Sequence, residues 1–86
     1  VRREPDFFGE TDLSLVYISK KLKQALALEE LFNAYSIDYL VEPDTYRGGL
    51  IFVSERVGAF FYVAPESEAA AKEVLLKNGY EPYMHG

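Results

Sequence analysis

The spacing of apolar and polar positions changes period along the chain, and each change marks an element. Asp12–Ser19 alternates, with Leu13, Leu15 and Tyr17 on one face and Val16 and Ile18 on the other, which predicts a first strand. From Lys20 to Ser36 the spacing becomes helical: Leu22, Ala25, Leu28, Phe32 and Tyr35 share a stripe, and Lys23, Ala27, Glu30 and Ala34 lie opposite. Ser19 stands where an N-cap belongs. Ile37–Glu42 predicts a short second strand, and Pro43–Gly49 a turn or loop. Gly49–Val53 and Val57–Val63 are dense in β-branched and aromatic residues, with the polar Ser54-Glu55-Arg56 between them as a turn, which predicts a central hairpin. Pro65–Gly79 reads as a second helix that buries Ala71, Val74, Leu75 and Asn78, with Ala70 beside them. Pro65 opens it, Glu66 and Glu68 occupy its first turn, and Gly79 closes it. Tyr80–Tyr83 reads as a short edge strand, restricted by Pro82.

This order predicts an α+β domain of the ferredoxin-like, split βαβ type. An antiparallel sheet carries two helices on one face and an extra hairpin arm. Residues 1–86 form one domain, with 1–11 as an arm anchored by Phe7-Phe8, 12–83 as the core and 84–86 as a tail. The central strand is apolar on both sides: Phe61 and Val63 share one face, Phe60 and Tyr62 the other. Two helices cover a single face, so one of these pairs needs another cover. A homo-oligomer that buries Phe60 and Tyr62, with Phe7 and Phe8 as further interface candidates, is the expectation, and the arm at Phe7-Phe8 laid over part of that face is the competing one.

Composition narrows the functional classes. The 86 residues carry a net charge of −5, which provides no global attraction for nucleic acid or anionic membranes. The absence of cysteine excludes disulfides, thiolate metal sites and cysteine nucleophiles, and agrees with a cytoplasmic location. Val57–Pro65, the longest apolar run, falls far short of a membrane span. Val1–Glu10 has no apolar core behind Arg2 and Arg3 and is not expected to act as a signal peptide.

Catalytic chemistry finds no constellation. His85 is a single histidine in the tail, and Glu29 and Glu30 project about 100° apart on a helix and form no acid–base pair. No metal or cofactor is expected. Val16-Tyr17-Ile18-Ser19 has the apolar–aromatic pattern of an RNA-binding strand, but Arg56–Phe61 lacks the glycine and aromatic placement of the partner motif. Two segments suit an anion. Ser19, Lys20, Lys21 and Lys23 gather positive charge at a helix start, where backbone N–H groups are free. Tyr46, Arg47, Gly48 and Gly49 offer a glycine turn beside a guanidinium.

Val16-Tyr17-Ile18-Ser19, then Leu31–Ile37 closing a helix, then Phe60–Glu66 leading into an alanine-rich helix form a pattern with a familiar counterpart. The chain from Asp12 to Tyr80 resembles a small bacterial family assigned to signal transduction and related in fold to the PII (GlnB-like) regulators. That resemblance implies a regulatory, non-enzymatic protein, and a trimer where a closed dimer would be the commonest arrangement. Tyr46-Arg47-Gly48 matches a short stretch of the partner-binding loop in PII proteins. Ile51 stands where those proteins carry a modified tyrosine, so that modification is not implied. The expected function is a self-associating regulatory or ligand-sensing module for a small anionic ligand. The alternative is a protein-interaction or structural domain that uses its sheet face or hairpin.

Overall fold

A computed structural model describes residues 1–48 and 54–83, with side-chain surroundings given for 1–45 and 56–83. Strand β1 (Ser14–Ser19), helix α1 (Leu22–Ala34), strands β2 (Leu40–Gly48) and β3 (Ser54–Val63), and helix α2 (Glu68–Lys77) follow in order. Single turns of 3-10 helix at Pro5–Phe8 and Pro65–Ser67 precede β1 and α2. The sheet is antiparallel, with β3 between β1 and β2. The most apolar strand therefore occupies the centre, where both faces can be covered.

Register divides β3 between two faces. Phe61 pairs with Tyr17 on β1 and Val41 on β2. Together with Val63, Val16 and Tyr39 it joins Ala25, Leu28 and Phe32 of α1 and Ala71, Val74 and Leu75 of α2 in one buried cluster. Both helices thus pack on the Phe61 face. The rings of Phe32, Tyr39 and Phe61 meet pairwise, with centroids 5.5–6.0 Å apart. Phe60 pairs with Ile18 and Glu42, and Tyr62 with Leu15 and Leu40, so these residues share the face turned away from the helices.

Several expectations need correction. The alternation in β1 is broken between Leu15 and Tyr17 by a register shift. Val16 and Tyr17 therefore both turn towards the helices, while Leu15 and Ile18 face away. Ser54-Glu55-Arg56 is not a turn; it is the start of β3, paired with Tyr46–Gly48. Pro43–Gly48 is likewise strand. These residues belong to a two-stranded ribbon that runs past the end of β1, so their polarity does not mark a reversal of the chain. Pro43 is tolerated because β2 is an edge strand. The arm Gly49–Val53, assigned to the hairpin from sequence, lies outside the described residues, as does the tail 84–86.

Helix ends account for the other differences. Leu22 and Tyr35, expected in the α1 stripe, are 76% and 51% exposed, because they sit at its first and beyond its last residue, past the reach of the sheet. Ala70 and Asn78 are exposed too, and Asn78 turns its Nδ2 back to donate to the Val74 carbonyl at 2.8 Å. Gly79, at φ +83°, ends α2 as expected. Its N–H donates to Leu76, and the Tyr80 N–H reaches back to Leu75. Tyr80–Tyr83 is not a strand; the Tyr83 N–H donates to the Val16 carbonyl at 2.7 Å and ties it to the outer edge of β1. Pro82, with no N–H, has no bond to donate there.

The arm is fixed by a different contact from the one expected. Arg2 forms a parallel bridge with Tyr39, and backbone bonds run from the Arg3 N–H to the Tyr39 carbonyl and from the Tyr39 N–H to the Val1 carbonyl. Arg3 pairs with Asp38 at 2.9 Å and stacks over the Phe7 ring at 4.4 Å. Phe7 meets Phe8 edge-to-face, yet remains 52% exposed.

Candidate functional site

The turn between β1 and α1 brings positive charge to the surface. Ser19 ends β1 and is buried, and its hydroxyl donates to the Lys21 carbonyl at 2.9 Å, with the Gln24 side-chain oxygen also in reach at 3.2 Å. It does not cap the helix, a correction to its expected role. Lys21 takes the N-cap position and α1 starts one residue later, with no side-chain cap and no acidic residue in its first turn. The first N–H groups of α1 thus add their positive potential to that of the lysines.

Two hollows flank this turn and share Lys20 and Lys21. One, of about 620 Å³, lies over the outer edge of β1 and is bounded by Tyr17, Ile18, Gln24, Glu81 and Tyr83. Its Glu81 carboxylate opposes an anion, and burial, with the neighbouring Tyr80 and Glu81, pushes the Tyr17 phenol above its usual range. The second, of about 290 Å³, lies between the start of α1 and the β2–β3 ribbon. Arg2, Lys20 and Lys21 border it, and Ala25, Val41, Pro43 and Ala59 form an apolar floor. Leu22 and Val57 flank it and are 76% and 68% exposed.

Of the residues chosen from sequence, Ser19, Lys20 and Lys21 converge here, whereas Lys23 is exposed and lines neither hollow. Tyr46, Arg47 and Gly48 are strand residues opposite Arg56, Glu55 and Ser54, not a turn, and Gly49 lies outside the described residues. Sequence reasoning missed Arg2 and the apolar floor. Arg2 arrives through its bridge to Tyr39 and approaches Glu29 at 3.6 Å. Glu29 also accepts the Tyr39 hydroxyl at 2.9 Å. Burial, this bond and the Glu29 charge hold the Tyr39 phenol protonated far above the ordinary tyrosine range.

The residues proposed for an interface are separated. Tyr62 is half-buried on the face away from the helices, and its phenol is raised by burial and by Glu42 and Asp44. Phe60 shares that face but keeps only 8% of its surface exposed. Phe7 and Phe8 border a hollow with Asp38, Ala64 and Glu66 at the junction of β3 and α2. Among the described residues no group of three or more His, Asp or Glu is placed to hold a metal, and no helix is long and apolar enough to cross a membrane. No family model matches the chain, and neither a curated protein nor a solved structure matches it.

Proposed function

We propose that this chain is a non-enzymatic, self-associating regulatory or ligand-sensing module of the cytoplasm, and that it binds a small anionic ligand at the β1–α1 turn. The observation that carries the reading is the convergence of Arg2, Lys20 and Lys21, from two separate segments, on an uncapped helix start. The βαββα order, with Tyr83 tied to β1 where a fourth strand would lie, supports a ferredoxin-like fold and agrees with kinship to PII-type regulators. A thermal-shift screen of phosphorylated metabolites, nucleotides and amino acids tests the sensing role, because only a ligand of the native state raises stability. A specific anion that raises the melting temperature is expected. A screen in which no anion does so removes the sensor.

The second reading is a protein-interaction domain. It is favoured by Leu15, Ile18 and Tyr62, which lie half-buried on the face opposite the helices. A tagged chain that retains a partner through Tyr62, with no response to anions, would favour it over the sensor.

A further inference from the structure

The cleft beside α1 is more than a set of cations. A site for a bare inorganic anion is polar and well supplied with N–H and O–H donors, whereas the floor here is Ala25, Val41, Pro43 and Ala59. Leu22 and Val57 stand at its sides with most of their surface in water, although both are large and apolar. At about 290 Å³ the space lies at the lower limit of small-molecule sites. An apolar floor, exposed apolar walls and three cations in the same lining complement a ligand that is both apolar and anionic.

We propose that this cleft takes a small amphipathic anion: a carboxylate or phosphate held by Arg2, Lys20 and Lys21, carried on a short apolar body that lies between Leu22 and Val57. The proposal rests on the anion-binding reading above and adds the apolar half of the ligand. Cleft geometry selects this hollow over its larger neighbour, where Glu81 repels an anion. Burying each methylene contributes free energy equivalent to roughly a three- to fourfold gain in affinity. Affinity therefore rises with chain length until the cleft is filled.

The test is an NMR titration of the full chain with butanoate, hexanoate and octanoate at constant ionic strength, with octanol and inorganic phosphate as the other arms. Octanoate is expected to shift the amides of Leu22, Ala25, Val41, Val57 and Ala59, and to bind at least tenfold tighter than butanoate. Lys20→Ala/Lys21→Ala should weaken octanoate at least fivefold without changing octanol. Val57→Ser, at an exposed position, should weaken octanoate and leave phosphate unchanged. Phosphate binding as tightly as octanoate, with no dependence on chain length, overturns the amphipathic ligand and leaves a plain anion site. Octanoate and octanol binding alike, both indifferent to the lysines, overturns the amphipathic ligand and the anion site together. So does the absence of any shift with phosphate or octanoate.

Discussion

Tyr39 shows how one side chain joins the core to the arm. Its ring packs with Phe32 and Phe61, its hydroxyl donates to Glu29, and its backbone receives the arm at Arg2. A hydrogen bond to a charged acceptor contributes about 1.5–3 kcal/mol, so Tyr39→Phe should cost on that order in denaturant unfolding at neutral pH. The same bond makes stability depend on alkali. The folded phenol pKa stands above the unfolded value of roughly 10, so the contribution is complete below that pH. It is lost as pH rises further, because the unfolded chain then gives up a proton that the folded chain retains. Stability should therefore fall above about pH 10, by up to 1.4 kcal/mol per pH unit for this group, and less steeply in Tyr39→Phe. Equal slopes in both proteins would show that Tyr39 ionises freely. None of this was legible locally, since Tyr39 and Glu29 meet only when the segment before β2 folds back along α1.

At the scale of elements, the two helices end in the same way with different residues. Ser36 after α1 has φ +56°, and Gly79 after α2 has φ +83°. In each case the residue after it donates back across the last turn, Ile37 to Phe32 and Tyr80 to Leu75. Side chains with a Cβ are disfavoured in this left-handed region. Gly79→Ala should therefore lower stability by about 1 kcal/mol, and Ser36→Gly should raise it by about 0.5–1 kcal/mol, both read from unfolding midpoints. The glycine made the second ending legible, whereas a serine carries no such signal, and α1 was extended past its true end. The shift in β1 was hidden for a similar reason: Val16 and Tyr17 are both large and apolar, so neither strict alternation nor its break stands out. Pro43 and the polar Ser54–Arg56 imitate loop residues, yet they belong to paired strands. That misreading also concealed the floor of the cleft, because Pro43 and Ala59 become neighbours only when β2 pairs with β3. The lysine end of the site was legible from local charge alone.

For the whole molecule, the division of β3 into a helix-packed face and a second apolar face follows directly from sequence alternation, and the register agrees. Because Phe60 is already largely covered within its own chain, Tyr62 is the better probe of a subunit interface. Sedimentation at micromolar concentration should give a mass that is a multiple of 9.8 kDa, and Tyr62→Glu should return it to the monomer with unchanged circular dichroism. A monomer that is indifferent to concentration removes self-association. Anion binding at the β1–α1 turn is tested most directly by the melting temperature in inorganic phosphate against chloride at equal ionic strength. The native chain and Lys20→Ala/Lys21→Ala are compared. Phosphate at ten times its dissociation constant stabilises by about 1.4 kcal/mol, a rise on the order of 5–10 °C in a domain of this size. The native chain should show that rise and the variant should lose most of it. An equal rise in both would contradict anion binding at the turn, because phosphate would then be acting only through its general exclusion from protein surfaces.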